Sequence, residues 1–169
     1  MSQIKINLFD LLKTFDLNVQ DNIILKGNER CIRQLLSVLL DNALKYSLTK
    51  ASLSLTENNK TITLICKNDS AHIAKGDLNY FFERFFRQDD DRGVIEGSGI
   101  GLSIAQEIVM LHHGKITAYS EKDYEFTIKV LLYRDFLSFF IKKSFFKYFL
   151  GCIFIITIER STNSLSTLA

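Results

Sequence analysis

Residues 29–47, ERCIRQLLSVLLDNALKYS, carry Ile32, Leu35, Leu36, Leu39 and Ala43 at helical spacing. A helix with a single apolar stripe must bury it against a second layer, so this segment admits only folds that supply one. Asn28 stands where an N-cap is wanted, directly after Gly27. The residues that follow supply the layer. ASLSLT alternates, TITLICK is β-branched and apolar, and polar ENNK parts them, which predicts an antiparallel hairpin. KITAYS and YEFTIKVLL predict two more strands, and NIILKG a brief one ending at Gly27. NLFDLLKTF, with Leu8, Leu11, Leu12 and Phe15 on one face, predicts a short amphipathic helix. Helices beside consecutive antiparallel strands predict an α+β sandwich, its helices covering one face of a mixed, mostly antiparallel sheet.

With 169 residues the chain has room for one domain with a real core, expected over residues 1–132, and an extension over 133–169. A net charge of +2 gives no footing for a nucleic-acid partner. Cys31, Cys66 and Cys152 are odd in number, far apart and without metal-ligand spacing, as suits a reducing compartment. Residues 1–10 mix polar and apolar side chains, so no signal peptide is expected there. Proline is absent, leaving the turns to Gly, Asn, Asp and Ser. In the extension, FLSFFIKKSFFKYFLGCIFIITI is aromatic and apolar but broken by Lys142, Lys143 and Lys147. Its uninterrupted run falls short of the ~20 residues that a spanning helix needs. Membrane contact, a buried extra element and an accidental extension all stay open, with a disordered end over STNSLSTLA.

Residues 96–114, EGSGIGLSIAQEIVMLHHG, set Gly97, Gly99 and Gly101 directly before an apolar helical run. No lysine follows as a P-loop requires, and Leu102 breaks the dinucleotide fingerprint. Two readings stand: a flexible hinge or cap that binds nothing, or bare amides at a helix start where phosphate oxygens approach closely. Asn42, Lys45 and Tyr46 share one helix face at i, i+3 and i+4. They suit either a solvated helix end or a site in which an amide ligates Mg²⁺, an ammonium neutralises phosphate and a phenol packs on a nucleotide.

The order LLDNALKYS, FFERFFR, GSGIGLSIAQEIVMLHHGKI resembles the ATP-binding catalytic domain of bacterial sensor histidine kinases, within the gyrase-like and chaperone-like ATPases. The resemblance runs from about Asn7 to Leu132 and is strongest from Arg33 to Ile116. It implies the two-layer α/β sandwich of Bergerat type, with ATP and Mg²⁺ as cofactors. Asn42 would ligate Mg²⁺, with Lys45 and Tyr46 as phosphate and nucleotide contacts. Phe82 and Phe85 would form an aromatic box at the base of a lid and also serve in core packing, which is their alternative reading. Gly97, Gly99 and Gly101 would hold the phosphates through their backbone, with Ile73, Ser98 and Leu102 in the same nucleotide-contacting set. Arg87 and Arg92 flank acidic QDDD and are either phosphate contacts or part of a solvated loop.

The chain departs from that family at several positions. Asn68, Ser70 and His72 stand where an aspartate that reads the adenine amine and two glycines are usual. An amide oxygen can still accept from an amine, and neighbouring Asp69 is a candidate substitute. Val38 replaces the first asparagine of the helix motif. No histidine precedes NLFDLLKTF, and His72, His112 and His113 lie inside the ATP-binding region, the last two in a cap or packing role. The resemblance therefore implies a phosphoacceptor histidine on a separate dimerisation domain, with a response regulator downstream. It also implies a fragment of a longer sensor or a stand-alone module, in the cytoplasmic part of a membrane-bound sensor. The alternative is a catalytically weak kinase-like domain that serves as a binding module.

Overall fold

A computed structural model of the chain describes residues 13–25, 27–71, 73–87 and 98–134, together with the backbone of 2–8 and 139–140. The long apolar stripe forms α1 (Glu29–Tyr46), burying Ile32, Leu35, Leu36, Leu39, Leu40 and Ala43. Asn28 caps it, its side-chain oxygen accepting from the Cys31 N–H at 3.2 Å. At the far end the Ser47 N–H donates to the Ala43 carbonyl at 3.0 Å.

The strands before and after α1 are β1 (Ser2–Leu8), β2 (Lys13–Val19), β3 (Ile24–Leu25), β4 (Lys50–Asn58) and β5 (Thr61–Asp69). The chain continues through β6 (Gly76–Asp77), a 3₁₀ turn (Asn79–Phe82), α2 (Gly101–Leu111), β7 (Lys115–Ser120), β8 (Glu125–Tyr133) and β9 (Phe139–Phe140). Seven strands form one sheet in the order β1-β2-β4-β5-β8-β7-β6. β2 and β4 pair in parallel, and α1 lies on the crossover that such a pairing requires. The other pairings of this sheet are antiparallel. Asn59 and Lys60 close the expected hairpin with positive φ at both positions (46° and 67°), which matches the twist of the flanking strands.

Strand alternation and helix stripe meet in one core. Leu17, Leu53, Cys66, Ile128 and Ala118 stand in register across five strands, all buried beneath the helices. α1 packs on β5 and α2, and α2 on β7 and the 3₁₀ turn. The expected α+β sandwich, with both helices on one face of a mixed sheet, is the architecture found.

The expected helix over NLFDLLKTF is not formed; its residues fall in β1 and β2, with 9–12 outside the described residues. Leu8, Leu11, Leu12 and Phe15 fit a helical face, but so short a run is also compatible with period two. From Lys13 onward alternation wins. Phe15, Leu17 and Val19 are buried on one face, and β4 receives the backbone hydrogen bonds of β2. Of the extension beyond residue 134, only β9 is described, paired antiparallel with β3; the apolar run and its lysines lie outside the described residues. Among the described residues no helix is long and apolar enough to cross a membrane.

Candidate functional site

The C-terminal half of α1 forms one wall of a cleft of about 260 Å³, lined there by Val38, Asp41, Asn42, Lys45 and Tyr46. The spacing of these residues along the helix keeps them at one edge of the buried stripe. The opposite wall is Ser98, Gly99, Gly101 and Leu102, at the start of α2. Asn68, Ser70 and Ile73 close the cleft at the end of β5, and Phe126 of β8 adds a ring beside them. Asn68, Ile73 and Phe126 are buried whereas Asp41, Lys45 and Ser98 are exposed, so the cleft runs from an apolar interior to a charged mouth.

α2 begins without a side-chain cap at Ile100. Its first N–H groups have no acceptor within the helix and carry the positive end of the helix dipole. Gly99 has φ +68°, and a Cβ there would stand 2.8 Å from the Phe86 carbonyl oxygen. Its carbonyl accepts from the Phe85 N–H at 3.0 Å, so a bare backbone is required where the two segments touch. Gly97 and Arg92 lie outside the described residues, as does His72.

The rings of FFERFFR take separate places. Phe82 is buried in the core, Phe85 is 70% exposed with φ +65°, and neither lines the cleft. The rings that do are Phe81 and Phe86, whose centroids are 5.0 Å apart, with Phe81 4.9 Å from Phe126. The 3₁₀ turn sets this phase, which a helical or alternating pattern would not reveal. Arg87 also lines the cleft. Asp41, adjacent to Asn42, was missed in the sequence because an acidic residue on an exposed helix edge is ordinary.

Asn68 is 5% exposed among apolar neighbours. Its amide nitrogen donates to the Asp69 carbonyl at 2.9 Å, which assigns the amide orientation and leaves Oδ1 as the remaining acceptor. Asp69 does not substitute for it. Successive strand residues face opposite sides, and the Asp69 carboxylate is taken by the N–H groups of Leu48 (2.9 Å), Thr49 (2.9 Å) and Lys50 (3.0 Å) and by the Thr49 hydroxyl. Burial pushes the Asp69 carboxyl up, but these donors outweigh it and hold the group below its ordinary value.

No cluster of three or more His, Cys, Asp or Glu capable of holding a metal exists among the described residues. Cys66 is buried, its thiol pushed up to about 12 by burial, and is thereby inert. His112 is structural: the Asn28 N–H donates to its Nε2 at 3.1 Å, and its Nδ1 donates to the Ile108 carbonyl at 2.7 Å.

Known proteins resemble the chain that carries this cleft. Residues 27–134 match the family described as histidine kinase-, DNA gyrase B- and HSP90-like ATPases. The chain belongs to this family. It is 40% identical over 107 residues to the sensor protein DltS of Streptococcus agalactiae serotype V, covering 62% of this chain and 27% of that protein. To the heme sensor protein HssS of Staphylococcus epidermidis it is 33% identical over 114 residues, 66% of this chain and 24% of the relative. The chain thus spans about a quarter of the length of the curated relatives it matches. Its fold is that of the mycobacterial sensor histidine kinase MprB, with TM-score 0.59 and 18% identity, covering 78% of this chain and 97% of the other. The catalytic domain of the histidine kinase ThkA is comparable, at TM-score 0.58 and 20% identity over 79% and 97% of the two chains. As a histidine kinase-, DNA gyrase B- and HSP90-like ATPase domain, the chain is a nucleotide-using module.

Proposed function

We propose that the cleft binds ATP with Mg²⁺ and that the chain is the ATP-binding half of a histidine protein kinase. One observation carries this: the uncapped start of α2 and the Asn42–Lys45 edge of α1 form facing walls of a single cleft whose interior holds the Asn68 amide. Asn68 Oδ1 accepts from the exocyclic amine of the base, and Ile73, Phe81 and Phe126 pack on the ring. Lys45 and the first N–H groups of α2, with Ser98, Gly99 and Leu102 beside them, hold the phosphates. The donors for Mg²⁺ fit a shared ion. Asn42 and the neighbouring Asp41 offer one amide oxygen and one carboxylate, and Mg²⁺ ordinarily takes its other ligands from phosphate and water. Bound there, the ion neutralises charge on the phosphates. Binding of Mg²⁺ is accordingly expected with nucleotide and not without it.

Transfer goes to a histidine on a separate helical dimerisation domain, and from there to a response regulator. The three histidines of this chain serve no acceptor role in this scheme. The setting is the cytoplasmic part of a membrane-bound sensor. The test supplies γ-labelled ATP, Mg²⁺ and a phosphoacceptor helical domain from a sensor-kinase relative. Acid-labile label on that domain's histidine, dependent on Asn42, supports the scheme; label on neither partner in the presence of bound nucleotide contradicts transfer.

A second reading, a weakened kinase-like domain that docks partners, draws on Val38, Asn68 and Ser70 in the cleft lining. Asn68→Asp combined with Ser70→Gly distinguishes the two. A large gain in nucleotide affinity favours the weakened domain, whereas unchanged affinity favours a site already fitted to its ligand.

A further inference from the structure

Lys45 and Tyr46, which line the cleft, are also the last two residues of α1. A helix end frays unless its last carbonyls and the following backbone find partners. Here three side chains supply them. From β2, the Lys13 ammonium donates to the Leu44 carbonyl at 2.9 Å. The Ser47 hydroxyl donates to the same carbonyl at 3.1 Å. From β5, Asp69 gathers the N–H groups of Leu48, Thr49 and Lys50 and the Thr49 hydroxyl on one carboxylate.

We propose that Asp69 is a positioning residue for the cleft, fixing the exit of α1 so that Lys45 and Tyr46 stand in register with Asn68. Asn68 and Asp69 are consecutive on β5, one facing the cleft and the other bound to the α1–β4 connection. A shift of that connection therefore moves one wall of the cleft relative to the other. The inference rests on the nucleotide reading only for its consequence, not for its geometry. Charge reinforces the arrangement: burial pushes the Lys13 ammonium down, and the nearby Asp69 carboxylate raises it in part.

The experiment uses the full chain, ¹⁵N-labelled, with Asp69→Ala, Asp69→Asn and, as a stability control at the opposite end of α1, His112→Ala. Two quantities are read: the amide shifts and hydrogen exchange of Lys45, Tyr46 and residues 48–50, and the dissociation constant for ATP with Mg²⁺. Asp69→Ala is expected to shift these amides, speed their exchange and weaken nucleotide about tenfold. Asp69→Asn keeps an acceptor oxygen for the Leu48 and Lys50 N–H groups and should recover most of the affinity. His112→Ala should lower the melting temperature and leave nucleotide affinity and the Lys45 amide in place. Should Asp69→Ala fail to fold, Thr49→Val, which deletes only the hydroxyl bond, must shift the same amides. Wild-type positions for Lys45 and Tyr46 in folded Asp69→Ala, or an equal loss of affinity in His112→Ala, would overturn the inference. Absence of nucleotide binding by the wild type would instead strike the nucleotide reading, while the amide shifts would still decide the place of Asp69.

Discussion

Asn42 and Lys45 occupy consecutive turns of α1 and both reach the cleft, yet neither is needed to bury the stripe. Asn42→Ala is therefore expected to leave stability within about 0.5 kcal/mol. It should weaken Mg²⁺-dependent nucleotide binding about tenfold, or ~1.4 kcal/mol, in a calorimetric titration. An equal loss in the absence of Mg²⁺ would argue against a role at the metal. Gly99 is a different case, because φ +68° and the contact with Phe86 both exclude a Cβ. Gly99→Ala should cost about 1–3 kcal/mol in urea denaturation even without nucleotide. A neutral substitution would show that the contact is dispensable. At this scale the residues named from the helix face, the glycine stretch and the family resemblance are brought together. Asn42, Lys45, Tyr46, Asn68, Ile73, Ser98, Gly99, Gly101 and Leu102 all line one cleft. The sequence was uninformative where phase decides, as with Phe81 and Phe86, which line the cleft without having been singled out.

Elements are held to one another by a few polar contacts at their ends. His112 joins the end of α2 to the start of α1, accepting from the Asn28 N–H and donating to the Ile108 carbonyl. His112→Ala leaves both groups without this partner and should cost about 1–2 kcal/mol, read as a lower urea midpoint with unchanged slope. No loss would mean that water replaces the imidazole. At the other end of α1, the Asp69 carboxyl is held below its ordinary value, so its bonds favour the folded state above the unfolded pKa of about 4. That contribution should vanish as pH falls through the lower folded value. In Asp69→Asn the acid limb of the stability profile should be flatter, and an identical limb would count against this account. The hairpin and both helices were legible because their periods persist over many residues. β2 was not, since its apolar positions satisfied two periods until the neighbouring strand selected one.

At the scale of the molecule, six strands and two helices among the described residues share one core, and the cleft opens where β5 and both helices end or begin. Pairing and packing of distant segments were beyond the sequence pattern alone, because the parallel β2–β4 contact depends on the crossover through α1. The three ordered motifs carried the family, and the family carried the fold. The most direct test of the central claim is a calorimetric titration of the folded chain with an ATP analogue and Mg²⁺. Saturable binding at one site per chain, weakened by Asn42→Ala, is the expected result; no heat of binding at millimolar nucleotide from folded protein would contradict it.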